Sequence, residues 1–443
     1  MYQDIAKLLL YSNVGEDSIL MRLSEIFQDW DNETAQKADL VKRIYRQMKR
    51  LLDLATDFGF DENLWHNYLT FLLITNENSF SLTCEKIGAG NGTVNAFAKK
   101  DFRIFKKLFD FDFRPIEQDL SIDCFSVISH YQAIAKKERM YNRNVSEQVR
   151  RLSREIEQAP DEQAVFTIVT DFYRDYGVGM FGLNRAFRIK PRENGVEFCP
   201  INNMDKVMLA DLVGYERQKQ QLRENTEAFV NGCVANNVLL YGDSGTGKST
   251  SMKAIVNEYY DRGLRMIEIY KHQFRNLSDI IAGIKNRNYR FIIYMDDLSF
   301  EEYEVEYKFL KAVIEGGVES RPDNVLIYAT SNRRHLIKET WGDREDMEKV
   351  GEVHRSDTME EKLSLVDRFG VTINYGSPNR KEYHEIVSAL AARQPAVKLS
   401  GKALWLAADQ WEMRHGGISG RTAQQFINHL LGKSETTEKE AST

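Results

Sequence analysis

Eight residues constrain this chain more than any others: Gly242-Asp243-Ser244-Gly245-Thr246-Gly247-Lys248-Ser249 fit the spacing G-x-x-x-x-G-K-[ST]. They follow a short apolar run, Val238-Leu239-Leu240-Tyr241, and open a segment with helical periodicity at 248–262. A glycine-rich turn between strand and helix can aim successive backbone N–H groups at one point, and the helix N-terminus adds about half a positive charge there. That is a cradle for phosphate, and the strand-to-helix context separates it from a glycine turn that merely carries a surface lysine. The stretch from Gly242 to Thr250 is therefore the expected nucleotide-binding loop, with ATP and Mg²⁺ as its ligands. Lys248 would reach the β- and γ-phosphates, and the Ser249 hydroxyl would ligate Mg²⁺.

The surroundings suit such a loop. Apolar runs recur at 264–270, 291–295 and 325–329, with a weaker one at 371–375. Runs this apolar fit strands buried on both faces of a parallel sheet. Helix-length segments separate them at 248–262, 277–285, 303–315 and 358–366, and this alternation predicts a doubly wound α/β core. Three further helices follow at 381–393, 399–414 and 421–431. Ser377-Pro378 reads as an N-cap with proline at the first helical position. Residues 1–189 read as mainly helical: Leu40, Ile44, Met48, Leu51, Leu52 and Ala55 form one stripe, and Phe97, Phe102, Phe105 and Phe109 another. The phenylalanines read as core. The expected organisation is a helical N-terminal domain (1–189), a linker (190–205, holding Pro191, Gly195 and Pro200), the α/β core (206–376), a helical lid (377–432) and a disordered tail (433–443).

Two strand ends carry further chemistry. Phe291-Ile292-Ile293-Tyr294-Met295 runs into Asp296-Asp297. Asp296 would hold Mg²⁺, and Asp297 would polarise an attacking water as general base. Aspartate is one methylene shorter than glutamate, so its reach to the water is shorter; Glu301 and Glu302 follow closely. Val325-Leu326-Ile327-Tyr328-Ala329 runs into Thr330-Ser331-Asn332. In an open α/β sheet ligands sit beyond the carboxyl ends of the strands, so Asn332 would face the nucleotide and orient water or the γ-phosphate. Arg368 falls between a helical segment and a strand. An arginine at such an edge could neutralise charge on a transferred phosphoryl group across an interface, or pair with Asp367.

The order of these motifs, continued by Asp367-Arg368-Phe369-Gly370 and Gly417-Ile418-Ser419-Gly420-Arg421, resembles the AAA+ ATPases. Asp211-Leu212-Val213-Gly214 resembles their adenine-side box. The resemblance implies a P-loop NTPase core with a small helical lid. It makes Asn332 sensor 1, Arg421 sensor 2 and Arg368 an arginine finger reaching a neighbouring subunit, with Arg333 and Arg334 as rivals for that place. More narrowly, Asp296-Asp297-Leu298-Ser299-Phe300-Glu301, Thr330-Ser331-Asn332-Arg333-Arg334-His335-Leu336 and residues 353–357 and 361–370 resemble one bacterial AAA group, domain-of-unknown-function family 815. The acidic pair Asp296-Asp297 departs from the general AAA+ pattern and suits the narrower group.

Composition sets the outer bounds. The chain has 443 residues, 42% of them hydrophobic and 28% charged, and a net charge of −6. That is enough apolar surface for large cores, and it argues against a broadly basic nucleic-acid coat. Cys84, Cys124, Cys199 and Cys233 form no C-x-x-C pair, so neither a disulfide framework nor a zinc ribbon is expected, and His335 and His354 lack metal-ligand spacing. No apolar run approaches a membrane span and the first residues do not read as a signal peptide, so a cytoplasmic protein with no membrane partner is expected. Lys99, Lys100, Arg103, Lys106 and Lys107 among phenylalanines, and the basic stretch 136–154, leave nucleic acid as a weakly supported partner. The densely charged stretch 341–362 reads as a solvated surface or a partner-contacting loop. The expected function is an oligomeric Mg-dependent ATPase that remodels or loads an unknown protein client. The alternatives are a nucleotide-gated interaction module with little turnover and a DNA-linked loader.

Overall fold

The computed structural model describes all residues except 134–142, 194, 203, 301–303, 305, 316–321, 334–335, 337–364 and 442–443. Several expectations lie outside the described residues: Arg334, His335, Glu301, Glu302, His354, the charged stretch 341–362 and most of the helix at 358–366. The chain divides into two compact units, residues 1–184 with 200–203, and 185–199 with 204–443.

The second unit is built on a seven-stranded sheet. Its strands are β1 (Ala186–Arg192), β2 (Gly195–Pro200), β3 (Val238–Gly242), β4 (Leu264–Ile269), β5 (Arg290–Met295), β6 (Val325–Ser331) and β7 (Val371–Tyr375), in the spatial order β2-β1-β4-β5-β6-β3-β7. The neighbouring pairs from β1 through β7 are all parallel. This is the expected P-loop NTPase architecture. β5 and β6 are buried nearly end to end, which explains their unbroken apolar runs. After β3 the chain leaves to build β4, β5 and β6 inward on one side, then places β7 on the other. Such a reversal of strand order opens a crevice at the carboxyl ends.

Two boundaries differ from expectation. The linker expected at 190–205 holds the end of β1 and all of β2. β1 is buried only at its first residues and then emerges, so no continuous apolar run marked it. Arg188 and Glu268 pair side by side in the β1/β4 register. The tail expected to be disordered continues a helix, Gly420–Ala441. Its few apolar residues pointed to disorder, yet its Lys, Glu and Ala are good helix formers.

In chain order the helices of the first unit are α1 (Tyr2–Ile5), α2 (Ile19–Asp31), α3 (Lys37–Phe58), α4 (Leu64–Thr75), α5 (Ser79–Ile87), α6 (Val94–Phe109), α7 (Arg114–Leu120), α8 (Cys124–Ser129), α9 (Arg143–Gln158), α10 (Glu162–Tyr176) and α11 (Gly179–Leu183). They enclose one continuous apolar core. Phe102, Phe105 and Phe109 of α6 are buried in it as expected, at roughly 1.5–3 kcal/mol each. Phe97 is not: it is 41% exposed, with Lys100 over its ring. The basic residues of α6 are largely neutralised, Arg103 by Glu162, Lys106 by Asp110 and Lys107 by Asp4. No described helix is long and apolar enough to cross a membrane.

Around the sheet lie α12 (Glu216–Val230), α13 (Lys248–Tyr259), α14 (Leu277–Ile284) and α15 (Glu306–Glu315). Then α16 (Arg380–Ala392), α17 (Gly401–Glu412) and α18 (Gly420–Ala441) pack on a small core of their own around Tyr383, Val387, Leu404, Phe426 and Ile427. The cap of α16 is Asn379, not Ser377. Its side chain accepts from Glu382 N while Glu382 accepts from Asn379 N, a reciprocal capping box.

Candidate nucleotide-binding site

The turn after β3 has the backbone its sequence requires. Gly242, Gly245 and Gly247 all have positive φ, at 132°, 77° and 96°. A side chain at Gly242 would run into the Tyr375 carbonyl, 2.3 Å from the ideal Cβ position. Gly245 faces Ser419 and Arg421, whose backbone N donates to the Gly245 carbonyl at 3.1 Å. Thus the loop is closed on one side by β7 and on the other by the start of α18.

Lys248 opens α13 and is only 6% exposed. Its ammonium donates to the Gly242 carbonyl (2.8 Å), the Asp243 carbonyl (2.6 Å) and Asn332 Oδ1 (3.0 Å). Burial lowers its pKa, while the carboxylates of Asp297, Asp243 and Asp296 oppose that fall. Asn332, just past β6, also donates from Nδ2 to Asp297 Oδ1 at 2.7 Å. One amide therefore links the loop lysine to the expected general base. Asp297 sits in the left-handed region at φ 50°, unusual for a residue other than glycine.

Asp296 is held differently. Its Oδ1 accepts from Ser249 Oγ (2.7 Å), Tyr294 OH (2.7 Å) and Thr330 Oγ1 (2.5 Å). Burial pushes its pKa up, but the three hydroxyls outweigh that and keep it below the usual carboxylate value. Burial, then the Asp296 charge, pushes the Tyr294 phenol up, so it stays protonated and donating. Tyr294 and Thr330 were visible in the strand sequences but given no role. The period of two along a strand sets Tyr294 on the face of Asp296, and the β5/β6 register, with Met295 opposite Ala329, brings Thr330 beside it.

These groups line a cleft of about 630 Å³. Ser244 to Thr250 form one wall, and Asp296, Asp297, Thr330 and Asn332 the facing one. Leu212, Val213, Ile386 and Leu390 give an apolar end, and Arg421 stands at the start of α18. Gly242 and Asp243 lie outside the lining. Their carbonyls hold Lys248, and the Asp243 carboxylate accepts from both N and Oγ of Ser377 at 2.8 and 2.7 Å. Those bonds hold the Asp243 carboxyl below its usual pKa and occupy the hydroxyl expected to cap a helix. Tyr215 stacks on Tyr375 at 5.1 Å and donates to the Gly376 carbonyl, and burial pushes its phenol up to about 12. Its left-handed backbone gave no sequence signal.

Arg368 is not brought to this cleft. It precedes β7, whose first residue Val371 pairs with Val238, the first residue of β3; Gly242 pairs with Tyr375 at the other end. At about 3.3 Å per residue, the strand places Arg368 roughly 13 Å or more along the sheet from the loop. Arg333 is exposed beyond β6, and it too is absent from the cleft wall.

The oxygen donors suit a hard cation. Ser249 Oγ and an ionised Asp296 lie within hydrogen-bond reach of each other, the sparse set with which proteins hold Mg²⁺ beside phosphates. No cluster of three or more His, Cys, Asp or Glu fit for a metal occurs among the described residues.

Residues 183–434 match the family described as "Protein of unknown function (DUF815)". Among solved structures, C. elegans PCH-2 is similar over 52% of this chain and 70% of its own, at 16% identity and a TM-score of 0.32. A point mutant of Thermotoga maritima RuvB is similar over 51% of this chain and 65% of its own, just under two thirds, at 19% identity and a TM-score of 0.36. No curated protein matches the sequence.

Proposed function

This chain belongs to the DUF815 family, and we propose that it is an oligomeric, Mg-dependent ATPase that couples hydrolysis to the remodelling or loading of a protein client. The observation that carries this reading is the chain of hydrogen bonds from Lys248 through Asn332 to Asp297 beside the glycine-rich loop. The triphosphate binds against the N–H groups of Ser244 to Lys248, with adenine toward Leu212, Val213, Ile386 and Leu390. Lys248 exchanges its carbonyl partners for the β- and γ-phosphates. Ser249 and Asp296 would hold Mg²⁺, which neutralises phosphate charge when bound. Asp297 takes a proton from the attacking water, Asn332 orients that water or the γ-phosphate, and Arg421 meets the γ-phosphate within the same chain. Arg368, too distant along the sheet for its own loop, serves a neighbouring copy.

Lys248→Ala should weaken ATP binding roughly tenfold or more by calorimetry, since charge-assisted contacts to phosphate are lost. An unchanged affinity would remove every role assigned above. Asp297→Asn should retain ATP unhydrolysed, and turnover at the parental rate would refute the base.

A second reading has an observation of its own. The Asp297 carboxylate is short, set by a left-handed backbone and tied to Asn332. A nucleotide-gated interaction module with negligible turnover would use it as a latch. Phosphate release measured across protein concentration separates the two. Release rising with self-association favours the ATPase; tight ATP binding without release favours the module.

A further inference from the structure

We propose that the helical N-terminal unit carries a second anion site, for a small phosphate-bearing ligand such as a phosphate monoester or polyphosphate, in the cleft between α2 and α3. The cleft measures about 580 Å³ and is lined by Asp17, Arg22, Glu25, Ile26, Arg43, Arg46, Gln47 and Arg50. Every cation in it is arginine. Lys42 and Lys49 of the same helix α3 lie outside the lining, and Lys49 pairs instead with Asp53. Arg43, Arg46, Gln47 and Arg50 are spaced 3, 1 and 3 residues apart, which sets them on one face of α3; Arg22 faces them from α2. Guanidinium forks match the oxygens of phosphate in a way that ammonium groups do not.

The present hydrogen bonds outline the binding mode. The Asp17 carboxylate bridges two arginines, with Oδ1 on Arg22 Nε at 3.1 Å and Oδ2 near Arg50 Nη2 at 3.5 Å. It precedes α2, its side chain is 79% exposed, and it stands where an incoming oxyanion would sit. Arg22 also touches Glu25, and Arg43 turns out to Asp29. Arg46 makes no hydrogen bond or ion pair with the described residues. Gln47 is 4% exposed, and its carbonyl accepts from Arg50 Nη1 at 3.0 Å, which holds that guanidinium at the cleft. An unpaired guanidinium and a displaceable carboxylate across two further arginines, gathered in one cleft, suit a phosphate.

The test is calorimetric titration of the full chain with inorganic pyrophosphate, in a Lys248→Ala background so that the glycine-rich loop does not contribute. Saturable binding is expected. Arg46→Ala with Arg50→Ala should weaken it roughly tenfold or more through lost charge-assisted bonds. Asp17→Asn should tighten it about threefold or more by removing the internal competitor, whereas Asp53→Asn, an acid of α3 outside the cleft, should change nothing. Absence of binding, indifference to the arginine pair, or equal effects of Asp17→Asn and Asp53→Asn would each overturn the site. A parallel titration uses a mixed-sequence single-stranded oligonucleotide. Tighter binding there than to pyrophosphate, fading steeply with salt, would overturn the small-ligand assignment in favour of a polynucleotide backbone.

Discussion

At the scale of the residue, the site shows how much chemistry is set by partners rather than by identity. Asp296 was marked by its place after an apolar strand, but what makes it usable is the set of three hydroxyls on one of its oxygens. Tyr294→Phe removes one of them and leaves the ring in place. The Mg²⁺ concentration needed for half-maximal ATP binding should then rise about tenfold, while nucleotide binding in chelator stays unchanged; hydrogen bonds to charged groups are worth about 1.5–3 kcal/mol. An unaltered Mg²⁺ midpoint would reduce Tyr294 to a packing residue. The glycine-rich loop, Asp296, Asp297 and Asn332 were legible because spacing and strand-end position fix them. Tyr294 and Thr330 were not, since their roles depend on which strands become neighbours, and β6 joins β5 from 34 residues further along the chain. Ser377 was misread because a serine before proline suits a helix start equally well.

At the scale of the element, strands announced themselves most clearly where both faces are buried. β3, β4, β5 and β6 did so and the half-exposed β7 more weakly, while β2 and the end of β1 read as linker and the start of β1 as part of the helical domain. The helical unit shows the same limit in a different form. Asp101 lies on α6 and is 1% exposed, yet its carboxylate accepts from the backbone N of Leu9, Leu10 and Tyr11, ninety or more residues earlier. No periodicity argument reveals such a tie. Asp101→Ala should cost about 2–4 kcal/mol in urea unfolding, since it strands the buried Tyr11 N–H and two part-buried ones that water only partly serves. Burial raises the Asp101 pKa despite those donors. A carboxyl raised in the folded state holds its proton longer than in the unfolded one. Its contribution to stability is therefore full below the ordinary aspartate pKa and falls as pH climbs through the raised value. The difference in unfolding free energy between parent and variant should narrow over that interval, and a difference independent of pH would contradict it.

At the scale of the whole molecule, Arg368 bears on assembly. Arg368→Ala should leave ATP affinity intact and abolish the part of phosphate release that grows with protein concentration. Mass measurement with and without ATP would show whether self-association survives the change. Loss of ATP affinity in that variant would instead place the arginine's effect within its own chain.

Arg368 enters the sheet at the edge where β3 and β7 begin, and the phosphate loop leaves it at the edge where they end. A contact joining one copy's arginine to another's loop therefore pairs two unlike surfaces. A two-fold dimer makes both contacts only where the two surfaces form one self-complementary patch; set at opposite ends of the strands they do not, and a single contact leaves one copy's loop end and the other's arginine end unused. Association of this sort has polarity, and it finishes only by closing a circle or by growing without limit.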